Sequence, residues 1–525
     1  MDLVKKNIHM DHIKVAAVTQ ITFDEDLNLP EMKPDCSAVC FSRGNVEVSE
    51  TKPFADEVRV MGNLCYHLLY YTEERGGGLV SLEGKLPFEE RVHMQGVKPG
   101  DTIQLHAETE DLTVGMINSR KLNLRSVVTL RVKCDELYDE EIAIGIHAKE
   151  PIEYRRRSMD IAQIAVHKKD VFRMKEEFAV PANYPNIFQI LWSNATIKDP
   201  EFKLLNGRLS IQGEVKAFIL YEGEGDSHEV FFFERTILFN GMIDCQGCKE
   251  EYLPAISWRV SQKEFGIRPD EDGEERNISL EMMLDLGIRV YEEDPVEIIT
   301  DIYGVGCEVK SKCKEAVLRK ALGRVAGKLK LTEKVKVRGK NGGILQVVHS
   351  EGNVFVEETK VVSEGLEVSG VLVVDILYIT GEDSMPYASV QEQITFRYVL
   401  GISQLEKTDI CDLHAEVEYL QIQLLDGEEM EVKAGLGFQT TAFRPVPVEL
   451  VEEVQTAPLD YEGWSMIPGM VIYIVKPGDS LWSIGKKYYI PVEEIKQLNS
   501  LESDQINVGE KLFLVKGGIG IVNDL

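Results

Sequence analysis

The chain has 525 residues, 44% of them hydrophobic, which at about 100–200 residues per domain allows several independent cores. Its 88 acidic and 58 basic residues give a formal net charge of −30, which disfavours binding to nucleic acid and to anionic membrane surfaces. The sequence contains no apolar run of about 18 residues, and its N-terminus has no apolar stretch of signal-peptide length. We therefore expect a cytoplasmic protein without membrane insertion and without a nucleic-acid partner.

One pattern occurs three times along the chain. The stretches 58–72, 209–223 and 366–380 each contain a glycine followed eight residues later by a tyrosine. The pairs are Gly62 with Tyr70, Gly213 with Tyr221, and Gly370 with Tyr378. The copies are offset by 151 and 157 residues, and flanking segments follow similar offsets. Because these residues recur three times within one chain, we interpret them as structural positions of a repeated domain.

The repeated unit has the pattern of a β-structure. Apolar and polar residues alternate through the three stretches, and glycine-rich joints follow them at 76–78, 222–226 and 379–383. We predict a mainly β fold with three tandem β-sandwich-like repeats, at 1–160, 161–312 and 313–445. The best helix candidate in this part is 313–329, as a connector into the third repeat. The strand order within a repeat and the oligomeric state do not follow from the sequence.

The nine cysteines are an odd number at low density, which favours reduced thiols over a disulfide framework. Cys245 and Cys248 form the closest pair, and Cys307 and Cys313 follow about 60 residues later. A zinc site with two tight pairs is the alternative, but five residues separate the second pair. We predict no metal and no cofactor.

The C-terminal part has a different character. Prolines at 445, 447, 458 and 468 predict a strand-poor linker over 446–470. The residues at 471–517 predict a small β-α-α-β domain, with Asp479 or Ser480 as the cap of its first helix. Pro491 opens the second helix, and Asn499 suits a left-handed C-terminal cap.

This segment resembles a LysM domain, whose pattern it matches at Tyr473, Val475, Gly478, Asp479, Ser480, Leu481, Trp482, Ile484, Pro491, Ile495, Leu498, Asn499, Ile506, Gly509 and Leu512. Gly485 departs from the alanine usual in that family. The resemblance implies a groove that binds N-acetylglucosamine chains or grips a protein. The groove residues implied by the resemblance are Gly478, Asp479, Ser480, Leu481, Trp482, Asn499, Ser500, Leu501 and Ile506.

The whole chain resembles spore-coat assembly proteins of the SPOCS type, which carry such repeats before a terminal LysM domain. Their P-x-x-K-P-D signature corresponds to 29–40 and 180–191, and in weakened form to 339–348. The resemblance implies a non-enzymatic scaffold in the mother-cell cytoplasm, at the outer forespore surface. Its implied partners are the coat basement ATPase, stage IV sporulation protein A, and other coat proteins. The alternative is a peptidoglycan-binding protein that acts through the LysM groove.

Enzymatic function finds little support in the sequence. It contains no P-loop, no G-x-S-x-G and no H-E-x-x-H motif, so a wall hydrolase with a LysM targeting tail is disfavoured. The one notable basic cluster is 154–157, with three consecutive arginines. We interpret it as a solvated joint between repeats rather than as an anion site.

Overall fold

Antiparallel strand pairing dominates the computed structural model, which describes residues 1–73, 78–225, 229–305, 307–336, 343–458 and 469–515. Alternating side chains with one buried face are the local reason for these strands. In the first repeat the six strands are β1 (Asp2–Asn28), β2 (Ala38–Phe54), β3 (Glu57–Tyr71), β4 (Leu79–His93), β5 (Thr102–Asn118) and β6 (Lys121–His147).

The second and third repeats each contain the same six-strand series. The second has β7 (Ile152–Ala179), β8 (Ile187–Leu205), β9 (Arg208–Gly223), β10 (Val230–Asp244), β11 (Leu253–Pro269) and β12 (Glu275–Gly304). The third has β13 (Cys307–Lys336), β14 (Ile344–Val362), β15 (Gly365–Thr380), β16 (Tyr387–Gly401), β17 (Ile410–Leu424) and β18 (Glu429–Pro458). The C-terminal domain consists of β19 (Met470–Ile474), α1 (Leu481–Tyr488), α2 (Val492–Asn499) and β20 (Lys511–Val515).

Each repeat is a sandwich of two three-stranded sheets. In the first repeat the strand orders are β1-β6-β5 and β2-β3-β4, and the other two repeats have the same topology. The first and last strands of a repeat are therefore neighbours, and the hydrophobic core of each repeat lies between its two sheets. This architecture confirms the predicted mainly β fold, with three sandwich-like repeats before a β-α-α-β domain.

The repeated glycines lie opposite a phenylalanine on the neighbouring strand. Gly62 pairs with Phe88, and the same register places Phe239 and Phe396 beside the other two glycines. A Cβ at Gly370 would lie 2.0 Å from the Phe355 carbonyl oxygen and 3.0 Å from Phe396, so a side chain there has no room.

The repeated tyrosines are buried at the end of the same strands. The Tyr70 hydroxyl donates a hydrogen bond to the Pro34 carbonyl at 3.1 Å, and Tyr221 donates to Pro185 at 3.0 Å. Each bond ties the long central strand to the turn that precedes the sheet. The corresponding position in the third repeat, Gly342, and the predicted joint residues Gly76 and Gly77 lie outside the described residues.

The helix expected at 313–329 is wrong, because this segment belongs to β13. It pairs with β18 from Cys307↔Pro458 to Lys336↔Glu429. Local spacing of apolar residues favours a helix, but pairing along the full length of a partner strand outweighs that preference. The repeats defined by their strands span 2–147, 152–304 and 307–458, so the boundaries predicted at 160/161 and 312/313 lie inside β7 and β13.

The strand-poor linker expected from 446 is also wrong up to Pro458, where β18 ends. The other edge strand, β17, pairs with β18 only as far as Phe443. Beyond that residue β18 hydrogen-bonds to β13 alone, and prolines are tolerated where one edge of a strand is free. The remainder of the predicted linker, at 459–468, and the predicted domain end at 516–517 lie outside the described residues.

One pair of cysteines departs from the expected reduced thiols. Cys245 and Cys248 are buried in the turn after β10 and form a disulfide, with their Cα atoms 5.5 Å apart. The other seven cysteines are free. Within the described part of the chain, no group of three or more histidine, cysteine or acidic side chains is arranged to hold a metal ion.

Hydrophobic clusters between the repeats join them to one another, and the two largest contain residues of all three repeats. The first lies between the outer faces of the sheets β2-β3-β4, β8-β9-β10 and β14-β15-β16, and it includes Phe41, Leu69, Trp192, Phe218, Val348 and Leu377. The second lies between the two-stranded extensions of the repeats, which we call the stems. The stems are 2–13 paired with 135–147, 152–164 paired with 291–304, and 307–321 paired with 443–458. Equivalent stem residues meet in the second cluster: Met10, Ile161 and Leu318, and Ile142, Ile298 and Leu450.

Three polar or charged side chains from the same three sheets also contact one another. Arg43, Asn194 and Glu351 occupy the same position of the three repeats, 151 and 157 residues apart. The Arg43 Nη1 lies 2.5 Å from Glu351 Oε2, and the Asn194 amide donates to the same oxygen at 2.5 Å. Burial alone would raise the pKa of Glu351, but the charges of Arg43 and Lys263 help to lower it to about 2.

A second polar group accompanies the stems. Asp11, Ala162 and Arg319 are the equivalent residues there, and an Asp11 carboxylate oxygen lies 2.7 Å from Arg319 Nη1. The Tyr291 hydroxyl donates a further hydrogen bond to Asp11 at 3.1 Å. Both polar groups thus pair opposite charges at positions that the repeat pattern makes equivalent.

We expect Glu351→Gln to lower the free energy of unfolding at neutral pH by about 3–5 kcal/mol, because Arg43 loses its nearest carboxylate and keeps only the more distant Asp375 at 3.6 Å. The pKa of Glu351 is lower in the folded state than its ordinary value of 4.5. Its contribution is therefore present above that value and is lost as the pH falls toward the folded-state pKa. The difference in melting temperature between the wild type and the variant should shrink between about pH 5 and about pH 2.

Thermal unfolding followed by circular dichroism across this range measures the difference. The control is Glu297→Gln, which removes an exposed partner of Arg156 at 2.7 Å and should change stability by about 1 kcal/mol or less. Equal melting temperatures for Glu351→Gln and the wild type at neutral pH would contradict the assignment.

Candidate functional site

The C-terminal domain is held together by its own short-range bonds. Ser480 caps α1, since its hydroxyl accepts from the Ser483 amide at 3.1 Å and its amide donates to the Ser483 hydroxyl at 2.9 Å. Helix α2 follows Pro491 and ends before Ser500, which has the left-handed φ of 55°. The left-handed cap is therefore Ser500, and the expectation that Asn499 adopts it is wrong.

Several of the predicted groove residues have partners inside the domain, the helix cap Ser480 among them. Asp479 accepts hydrogen bonds from the Tyr473 hydroxyl at 2.6 Å and from the Lys476 amide at 2.8 Å. The Asn499 side chain bonds to the backbone amide and carbonyl of Phe513, and Leu481 is buried in the core. These contacts fix the walls of the predicted groove.

Five groove residues line its accessible part. Gly478, Ser480 and Ser500 are exposed, and Leu501 and Ile506 are half-buried. Gly478 has a φ of 88°, which brings the backbone of the first loop to the surface without a side chain. The accessible members of the predicted groove are therefore small or apolar residues.

Trp482, which is also a predicted groove residue, contacts the stem of the second repeat. Its indole Nε1 donates to Asp301 Oδ2 at 2.7 Å, and Lys486 Nζ lies 2.6 Å from Oδ1 of the same carboxylate. The indole also packs edge-to-face on Tyr303 at 4.8 Å between ring centroids, and the Arg155 guanidinium lies 5.8 Å from it. Burial alone would raise the pKa of Asp301, but the bonds from Lys486 and Trp482 lower it.

Tyr303 makes the second half of this contact. Its hydroxyl donates to the Ile490 carbonyl at 2.9 Å, in a buried position. A Cβ at Gly485 would lie 2.7 Å from the Tyr303 oxygen, so the glycine that replaces the family's alanine leaves room for Tyr303. Gly485 is therefore the one sequence signal of a docking contact, although neither Asp301 nor Tyr303 is predicted from the sequence.

The docking residues are specific to the second repeat. In the first repeat, the repeat alignment and strand register place Gly145 at the position of Asp301 and His147 at the position of Tyr303. In the third repeat the positions hold Glu453 and Gln455. Only the second stem combines a carboxylate with a tyrosine there, which explains why the domain lies on this stem.

The domain also carries an exposed apolar face, which we define as Met470, Ile472, Ile474 and Phe513. The three β19 residues alternate onto one side of the strand, and Phe513 on β20 pairs directly with Ile472. Their exposed fractions range from 42% at Phe513 to 66% at Met470. Adjacent exposed apolar side chains of this kind mark interaction surfaces in soluble domains.

Comparison with known families agrees with this architecture. The family model described as "SipL, SPOCS domain" matches residues 35–117, 186–268 and 343–425, and the LysM domain model matches residues 473–514. Together the matched ranges cover more than half of the chain. The chain belongs to the SipL-like family of three SPOCS domains and a C-terminal LysM domain. It is therefore a coat-associated sporulation protein with a LysM binding module, built from domain families that are non-catalytic.

Three curated relatives each match a stretch of about 40 residues, and the chain spans less than two thirds of their length. A "Probable peptidoglycan endopeptidase LytE" of Bacillus subtilis is 55% identical over 42 residues, which are 8% of this chain and 13% of the relative. A "Probable N-acetylmuramidase" of Lactococcus lactis is 50% identical over 42 residues, or 8% of this chain and 10% of the relative. The B. subtilis protein YkzQ is 46% identical over 39 residues, which cover 7% of this chain and 52% of that protein.

No solved structure matches the chain. Among the described residues, neither helix has the length and apolar character needed to cross a membrane.

We expect Asp301→Ala to release the LysM domain from the second stem, because Trp482 and Lys486 then lose their shared acceptor. Hydrogen exchange measured by mass spectrometry should become faster in 481–488 and in 298–304. The matched control is Glu453→Ala, which changes the equivalent position of the third repeat. Unchanged exchange in both segments of Asp301→Ala would show that the contact does not hold the domain.

Proposed function

We propose that this SipL-like protein is a non-enzymatic scaffold for coat assembly and forespore encasement. It acts in the mother-cell cytoplasm, at the outer surface of the forespore, and gathers coat proteins there. Its LysM domain docks onto the coat basement ATPase, stage IV sporulation protein A. The observation that carries the proposal is the apolar face of the LysM domain, which stays exposed while Trp482 is occupied by the second repeat.

Two properties of this arrangement favour a protein as the LysM partner. The apolar face presents aliphatic and aromatic side chains on a rigid two-stranded sheet, and apolar centres dominate the energetics of protein interfaces. The predicted groove also lacks its largest aromatic side chain, since Trp482 faces Tyr303. A sugar ring normally binds to such an aromatic side chain or to several polar side chains. Several predicted groove residues already use their side chains in contacts inside the domain, so fewer groups remain for a sugar.

Peptidoglycan binding is the second candidate function. Five predicted groove residues remain at least partly exposed in the docked domain: Gly478, Ser480, Ser500, Leu501 and Ile506. The similarity to two relatives with wall-degrading names supports this alternative. Unlike the first candidate, it requires the groove and not the apolar face.

We expect Ile472→Glu to weaken binding of the full-length chain to the purified ATPase at least tenfold, because a carboxylate would be desolvated in an apolar contact. Calorimetric or interferometric titration measures the affinity. Leu238→Glu is the matched control, since Leu238 is 73% exposed on β10 and lies outside the LysM domain.

Sedimentation with purified peptidoglycan separates the two candidates. Sedimentation that Ile472→Glu does not change, together with no measurable binding to the ATPase, would replace the proposed function with glycan binding. An ATPase affinity that is equal in Ile472→Glu and the wild type would remove the apolar face from the proposal.

A further inference from the structure

A cleft of about 430 Å³ lies between the stems of the second and third repeats. Its floor is apolar, with Met159 and Ile298 from one stem and Val448 from the other. Its rim carries Arg155 and Arg157 from β7, while Glu449 lines the opposite side. The cleft thus combines cations with an apolar floor in a chain whose net charge is −30.

The repeat pattern shows how this cleft differs from the other two joints between stems. Strand register places Lys6, Arg157 and Lys314 at one equivalent position, opposite Ile142, Ile298 and Leu450 respectively. Every repeat therefore directs a cation toward a neighbouring stem. The three contacts between stems differ in whether the neighbouring stem supplies an acidic residue that pairs with this cation.

Two of the three cations have an acid from another repeat. Lys314 of the third repeat lies 2.5 Å from Glu140 of the first, and Lys6 of the first lies 3.7 Å from Asp294 of the second. The position of Glu140 corresponds to Val448 in the third repeat. Arg157 consequently meets a valine where Lys314 meets a carboxylate.

Arg157 of the cleft is therefore available to an external anion. In the parts of the chain that the structure describes, no carboxylate oxygen lies within 4.0 Å of the Arg155 or Arg157 guanidinium, and Glu449 forms no ion pair. Arg156 differs, since it is paired with Glu297 at 2.7 Å. Arg155 has two weaker partners, the Thr300 hydroxyl at 3.4 Å and the Trp482 ring at 5.8 Å, so the argument for an external anion depends on Arg157.

We propose that this cleft binds an acidic segment of a protein partner, in which carboxylates flank an apolar side chain. The guanidinium group of Arg157 matches a carboxylate with two parallel hydrogen bonds, and the apolar side chain fills the floor between Ile298 and Val448. The site lies on the repeats and is separate from the apolar face of the LysM domain. It gives the scaffold a second point of attachment, beside the docked domain, where Arg155 also contacts Trp482.

The test uses the full-length chain and a rhodamine-labelled peptide of sequence Glu-Leu-Asp-Leu-Glu, with Gln-Leu-Asn-Leu-Gln as its neutral counterpart. Fluorescence anisotropy should show at least tenfold tighter binding of the acidic peptide. Arg157→Gln should weaken that binding about tenfold, the effect of losing one charge-assisted contact. Lys314→Gln is the matched control, because this cation already has Glu140 as its partner.

Val448→Glu supplies the missing acid within the chain, as Glu140 does in the first repeat, and should prevent binding while Arg157 remains. If Val448→Glu unfolds the protein because the residue is buried, the peptide affinity of Arg157→Gln still tests the proposal. Equal affinity in the wild type and Arg157→Gln overturns the proposal. Displacement of the peptide by inorganic phosphate at matched ionic strength, or dimerisation of the chain that Arg157→Gln abolishes, overturns it as well.

Discussion

The ion pairs between equivalent positions of different repeats are the constraint on which this architecture depends. Arg43 faces Glu351, and Asp11 faces Arg319, although each pair occupies one position of the repeat pattern. Identical side chains at those positions would repel one another or leave buried polar groups unpaired. Because buried pairs add little net stability compared with apolar residues, we assign them chiefly to specificity. They determine which repeat lies beside which.

The three stems carry different side chains at equivalent positions. The position of the LysM domain follows from that difference. The second stem alone offers a carboxylate and a tyrosine to Trp482 and Ile490. The contact also depends on Gly485, since a larger residue would collide with Tyr303. Divergence between three copies of one unit has thus produced a single docking position instead of three.

Local sequence patterns predict those structural elements whose conformation depends on residues close in sequence. They fail for elements whose conformation depends on pairing with a distant strand. Alternation identified the central strands around Gly62, Gly213 and Gly370, and the capping pattern identified both helices of the LysM domain. The segment 313–329 has helical spacing, yet its pairing with β18 makes it a strand. Trp482 and Asp301 are 181 residues apart, so no local pattern could join them. The family resemblance predicts the groove residues, while the apolar face is identified only from the strand register.

A scaffold benefits from holding its binding module rigidly. A LysM domain on a free tether would lose orientational freedom on binding a partner, and that loss opposes association. Four contacts to the second stem, through Trp482, Lys486, Tyr303 and Arg155, remove much of that freedom before a partner arrives. The apolar face of the domain remains exposed in this docked position. The repeats therefore act less as a spacer than as a platform that fixes the direction from which a partner can approach.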